Sequence, residues 1–173
     1  MERRVEAPDY AAPLLGWRTW TLSRKGDRVR LRSVVKPTIW EPGRPCGAEC
    51  LRPRLLRRFR RHSAPSFGCD CGIYAAELDI AALYLSDLRL GRPGEVRQVL
   101  GRVALWGEVV ECERGYRASL AYPIELYVAA RAAGGMLRDG AAEVAAALED
   151  YGVPVAVVDA DEPSLPALLA AAA

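Results

Sequence analysis

The chain has 173 residues, 51% of them hydrophobic and 27% charged, enough to bury the core of one domain and too apolar for a disordered segment. No stretch approaches the roughly 20 apolar residues of a membrane-crossing helix, and the opening MERRVEAPDY lacks the apolar core of a secretory leader; this predicts a cytoplasmic protein whose cysteines are free or metal-bound. The net charge of +2 conceals a division, with 16 basic and 6 acidic side chains in residues 1–62 against 8 and 16 in 63–173, so the halves attract each other or the basic half faces an anionic partner.

Residues 1–15, polar and proline-bearing, are expected to form a flexible arm. From Gly16 to Trp40 the pattern is that of strands: Trp17, Thr19 and Thr21 alternate with Arg18, Trp20 and Leu22, and Val29, Leu31 and Ser33 alternate with Arg28, Arg30 and Arg32. Lys25-Gly26-Asp27 supplies the turn between them. Thr38 to Gly43 ends an extended segment, and residues 44–71 are irregular and rich in proline and arginine. Ile73, Glu77, Ile80, Tyr84 and Leu88 recur at helical spacing, predicting a central helix from Gly72 to about Leu88.

After a loop at Gly91-Arg92-Pro93-Gly94, Val96–Glu111 reads as one long or two broken strands, with Gly101 and Gly107 at bulge or close-approach positions. Glu113-Arg114-Gly115 turns the chain into Tyr116–Tyr122, completing a hairpin. Pro123 is placed to start a helix that Gly134-Gly135 would end. Asp139 is placed to cap a helix over 140–150 that stops at Gly152. A short strand over Val153–Val158 and a last helix from Pro163 complete the chain. The expected fold is α+β: a mainly antiparallel sheet or partial barrel with a central helix, a zinc-bound loop and a helical C-terminal part. Residues 16–130 form the zinc-stabilised domain, and 131–173 form an extension packed on it.

Cys46, Cys50, His62, Cys69 and Cys71 hold four of the five cysteines and the only histidine within 26 positions. Zinc takes four thiolate or imidazole donors in a tetrahedron, and an irregular segment can wrap such an ion. Two sets are open: Cys50, His62, Cys69 and Cys71, or a Cys46-x3-Cys50 knuckle with Cys69 and Cys71. Gly68 and Gly72 flank the tight Cys69-Asp70-Cys71 step and give it backbone freedom. Four donors argue for one closed, structural zinc, since catalytic sites keep a position for water. Cys112 is expected on a strand, outside the cluster.

No catalytic residue is assigned. His62-Ser63-Ala64 lacks the glutamate of a zinc deaminase, and there is no HExxH, phosphate-binding glycine loop or Gly-x-Ser-x-Gly elbow. Arg52, Arg54, Arg57, Arg58, Arg60 and Arg61 form the strongest electrostatic feature and could contact nucleic acid. Leu55, Leu56 and Phe59 between them equally suit a short amphipathic helix whose arginine stems cover apolar surface. Trp106 is expected in the core, with a ligand pocket lined by Trp106, Tyr116, Arg117 and Tyr122 as the alternative.

The segments His62-Ser63-Ala64-Pro65, Cys69-Asp70-Cys71-Gly72-Ile73-Tyr74-Ala75, Gly101-Arg102-Val103-Ala104-Leu105-Trp106-Gly107, Gly115-Tyr116-Arg117-Ala118 and Ala121-Tyr122-Pro123 resemble an uncharacterised group of small actinobacterial proteins. The resemblance covers roughly residues 16–128 and Tyr151-Gly152-Val153-Pro154. It implies Cys50, His62, Cys69 and Cys71 as the ligands and marks Cys46 and Cys112 as additions of this chain; it implies no activity. The expected function is a non-catalytic recognition or adaptor module stabilised by one structural zinc, binding a protein or a small ligand away from any membrane. The alternatives are a nucleic-acid-binding regulator using the 52–61 arginines, and a thiol, redox or zinc enzyme using Cys69 and Cys71.

Overall fold

The computed structural model describes residues 3–6, 12–26, 28–50, 62–85, 98–130 and 140–158. In chain order these form β1 (Arg3–Glu6), β2 (Leu14–Lys25), β3 (Arg28–Ser33), β4 (Cys46–Gly47), β5 (Ile73–Ala76), a short helix α1 (Leu78–Ala82) continued by a 3-10 turn, β6 (Gln98–Cys112), β7 (Gly115–Ala129), α2 (Ala141–Leu148) continued by a 3-10 turn, and β8 (Val155–Val158). The fold is α+β and mainly sheet, as the alternating patterns predict.

All eight strands join one sheet. One edge of β6 pairs with β2, from Leu14↔Leu105 to Thr21↔Gln98, and then with β1 at Glu108–Glu111. Its other edge pairs with β7 across the turn at residues 113–114. The far edge of β7 takes β5, β4 and, in parallel, β8. Strand β5 reaches back to β2 through Trp17↔Ala76, so β2, β6, β7 and β5 close a circuit and the sheet is a partial barrel. Strand β3 extends β2 through the Lys25-Gly26 turn.

The main core lies inside this roll. Trp20 and Trp40 meet edge-to-face at 5.4 Å and 86°, surrounded by Leu31, Val99, Val103, Leu105 and Leu126. Helix α2 buries Val144 and Leu148 against the same core. Tyr151 then pins it: its hydroxyl donates to the Trp40 carbonyl at 2.6 Å and accepts the Leu31 N–H at 2.9 Å. A buried phenol is retained because both hydrogen-bonding roles are filled.

Several sequence expectations are corrected. The helix expected from Gly72 begins only at Leu78, because Ile73–Ala76 pair with β7 and β2 instead. The helix expected from Pro123 is strand: β7 continues to Ala129, and Pro123, opposite Val103, sits at a register shift where the missing N–H costs no regular ladder bond. Within the segment expected to be a flexible arm, Arg3–Glu6 pair antiparallel with β6. The expected stop at Gly152 holds, with φ of 67° in the left-handed region. Gly101 and Gly107 behave as expected, the first packed beneath the Glu125 carbonyl and the second, at φ 77°, within the irregularity between Trp106 and Val109. The Asp139 cap, the Pro163 helix and the Arg52–Arg61 segment lie outside the described residues. Among the described residues no helix is long and apolar enough to cross a membrane.

Candidate metal centre

Strand β4 delivers the chain to Cys50, and β5 receives it just after Cys71, so both ends of the irregular segment are anchored on β7. The turn between Cys69 and Cys71 is possible because Gly68 and Gly72 adopt φ of 70° and 126°. The sulfurs of Cys50, Cys69 and Cys71 and a ring nitrogen of His62 all lie within 4.8 Å of one another. Cys50 Sγ is 3.8 Å from Cys69 Sγ, and Cys71 Sγ is 3.3 Å from His62 Nε2. A disulfide would place two sulfurs about 2.05 Å apart. A tetrahedron with metal–sulfur bonds of about 2.3 Å has a sulfur–sulfur edge of about 3.8 Å, and about 3.6 Å between sulfur and nitrogen. The cluster is therefore compatible with a single metal ion and matches one of the two ligand sets legible in the sequence.

The other set is not assembled. Cys46 is buried on β4, opposite Ala121, and packs into the main core, whereas Cys50, Cys69 and Cys71 form a separate small cluster with Ala64. Cys112 is half-buried at the end of β6. The three clustered thiols are 8%, 5% and 2% exposed. Burial, then the Cys69 side chain, pushes the Cys71 thiol up to about 11. That is the opposite of the depressed value that activates a cysteine nucleophile.

Arg117, expected at a ligand pocket, serves this cluster instead. It is 2% exposed on β7, and its guanidinium donates to the carbonyl of Cys69 and to that of Cys71 at 3.1 Å, while lying 5.8 Å over the Tyr74 ring. Two carbonyls that the tight turn would leave buried are thereby satisfied. Neighbouring Tyr116 leaves the strand on the opposite face and borders a shallow cleft with Trp17 and Glu111. The Tyr122 hydroxyl accepts the Gly43 N–H at 2.6 Å and donates to the Tyr151 carbonyl at 2.9 Å. Trp106 is half-buried, its carbonyl accepting from Ser119 Oγ. These four residues thus serve separate surroundings.

A cavity of about 590 Å³ opens beside the cluster, with Cys50, Cys69 and Cys71 in one wall and Trp17, Arg18 and Ile80 in another. Sequence reasoning passed over Arg18 of this lining; in the sequence it is one of many alternating arginines, and only the folding of β2 against β5 sets it at the cavity.

No protein-family model matches the chain, and no curated protein and no solved structure is similar to it beyond the level of chance.

Proposed function

We propose that this chain is a zinc-stabilised recognition module, without catalysis of its own, that binds a protein or a small ligand. The observation that carries the reading is the complete donor set, three thiols and one imidazole within 4.8 Å. Such a set selects zinc among common ions and leaves no coordination position for a substrate or an activated water. Three thiolates and a neutral imidazole around a divalent ion carry a net charge of −1, and the buried Arg117 guanidinium beside Cys69 and Cys71 offsets it. Membership in the actinobacterial group belongs to the same proposal, since its pattern implies the same four ligands.

Elemental analysis of protein purified without chelator tests the metal: about one zinc per chain is expected, and none refutes it. Cobalt substitution separates a closed site from an open one. A closed tetrahedral site gives a thiolate-rich cobalt spectrum that added azide or cyanide leaves unchanged; a spectrum that shifts with such anions reveals an open position and removes the non-catalytic reading.

A further inference from the structure

Arg18 lies half-buried on β2, with its guanidinium turned toward β3 and β5. Nη2 donates to Ser33 Oγ at 3.0 Å and Nη1 to the Tyr74 carbonyl, while the buried Nε has no hydrogen-bond partner among the described residues. The indole of Trp40 lies 5.3 Å and that of Trp20 6.0 Å from the guanidinium carbon. Among the described residues no carboxylate comes within 4 Å of it. Its charge thus sits partly shielded from water, against apolar rings and neutral acceptors, a setting in which a negative group that joins it is bound favourably. Burial lowers the Arg18 pKa to about 10, which still leaves the group charged near neutrality.

The same residue lines the cavity of about 590 Å³, a volume within the roughly 300–1,000 Å³ that hold one small molecule. The walls are mostly apolar: Trp17, Ile73, Ala75, Ile80, Ala81 and Tyr84. Helix α1 is held in place as one of these walls by the Thr19 hydroxyl, which donates to the Ala81 carbonyl at 2.7 Å. The other charged residues in the lining lie toward solvent; Glu49 and Asp70 are exposed and Lys36 is half-exposed. Val35, 80% exposed, and Tyr84, 50% exposed, also line the cavity and put apolar surface where it meets solvent.

We propose that this cavity binds a small monocarboxylate with an apolar body, its carboxylate on the Arg18 guanidinium and its apolar part between β5 and α1. Each terminal nitrogen of Arg18 uses one of its two N–H groups within the protein. The second on each remains for a carboxylate, whose flat, two-oxygen geometry suits a guanidinium. One half-buried cation matches one negative charge; a phosphate dianion would remain undercompensated. The inference deepens the recognition-module reading, on which it rests, by naming the class of ligand.

Octanoate, 1-octanol and octyl phosphate are suitable probes, titrated into the full-length protein with tryptophan fluorescence and calorimetry, zinc content being measured on the same sample. Octanoate is expected to bind once per chain, at least about tenfold more tightly than octanol, as one charge-assisted contact implies. Arg18→Gln is expected to abolish that preference. Equal binding of octanoate and octanol overturns the proposal without any variant, as does tighter binding of octyl phosphate or an R18Q protein that keeps the preference. Protein that contains zinc and binds no octanoate overturns the ligand and leaves the metal. Protein without zinc that binds octanoate overturns the metal reading and leaves the cavity.

Discussion

Arg117 reaches the turn between Cys69 and Cys71 through its backbone, donating from one guanidinium nitrogen to the Cys71 carbonyl at 3.1 Å and to the Cys69 carbonyl as well. The contact joins the start of β7 to the point where two cluster cysteines are separated by a single residue. An arginine buried to 2% exposure cannot be there for solubility. Arg117→Met should leave two buried carbonyls unsatisfied, costing about 2–5 kcal/mol of stability, and should weaken zinc binding about 10–100-fold, as loss of a supporting residue typically does. Urea unfolding and competition with a chelator read the two effects. A variant that loses stability and holds zinc as tightly as before would confine Arg117 to a role in packing.

Removal of the proposed metal should act locally. The sequence alone suggests that losing a ligand unfolds the domain, since zinc binding and folding are coupled in small metal domains. The structure separates the two: the Trp20–Trp40 core excludes Cys50, Cys69 and Cys71, which belong to a satellite cluster. Cys69→Ala, or a strong chelator, should therefore open the segment between β4 and β5 while the sheet persists. Limited proteolysis should cut within residues 48–72, with the far-ultraviolet circular dichroism of the sheet retained. Global loss of the sheet signal would show that the metal holds the whole fold.

Much of this was legible in the sequence, and the failures have physical causes. The β2–β3 turn at Lys25-Gly26, the β6–β7 hairpin and the four donors could all be read because each rests on local chemistry: a turn glycine, alternation over many residues, clustered soft ligands. The strand Ile73–Ala76 could not, because a four-residue apolar run also fits a helical stripe, and only pairing with Tyr116–Ala118 and Trp17 decides it. Pro123 misled for a related reason: proline at a helix start and proline at a strand irregularity look alike until the partner strand is known. The placement of Arg18 at the cavity and of Arg117 inside the molecule follows wholly from that long-range pairing.

Metal affinity should fall steeply as pH falls. Zinc takes cysteine as thiolate and histidine as neutral imidazole, so binding displaces protons. Burial and the neighbouring Cys69 and Cys50 raise the Cys71 pKa to about 11 from 9.0, so at neutral pH the zinc-free protein holds that proton tightly. The sign for the zinc-free protein follows from the raised value: the contribution of the protonated thiol to stability is complete below pH 9 and is lost as pH rises toward 11. For the zinc-bound protein the order reverses, and acid releases the metal. Zinc affinity should drop by more than about tenfold per pH unit below neutrality, since more than one proton is exchanged. A slope near zero in a chelator competition between pH 6 and 8 would show that the thiols are not ligands.

Tyr151 should mark the alkaline limit of the main core. Its hydroxyl bridges Trp40 and Leu31, and burial pushes its pKa up to about 12 from 10.0. With a raised pKa the stabilisation is present below pH 10 and lost as pH rises through 12. Tyr151→Phe should cost about 1–3 kcal/mol at neutral pH, because the Leu31 N–H and Trp40 carbonyl lose their partner. It should also flatten the loss of stability above pH 10, measured by thermal melts across that range. An unchanged alkaline profile would place the titrating group elsewhere.

Gly101 of β6 lies between Trp20 of β2 and Glu125 of β7, and a paired substitution tests whether that close packing is required. A Cβ at Gly101 would lie 2.2 Å from the Glu125 carbonyl oxygen and 3.1 Å from the Trp20 ring. Neither neighbour can yield easily, one being backbone and the other a fully buried indole. Gly101→Ala should therefore destabilise by at least about 1–3 kcal/mol, the usual cost of overpacking. Gly47 is the control: on β4 a Cβ there meets nothing within 4 Å. Gly47→Ala should stay within about 0.5 kcal/mol of the parent. Equal melting temperatures for the two variants would mean that β6 can move away from Trp20 at no cost, and that the Trp20–Trp40 pair does not fix the curvature of the sheet.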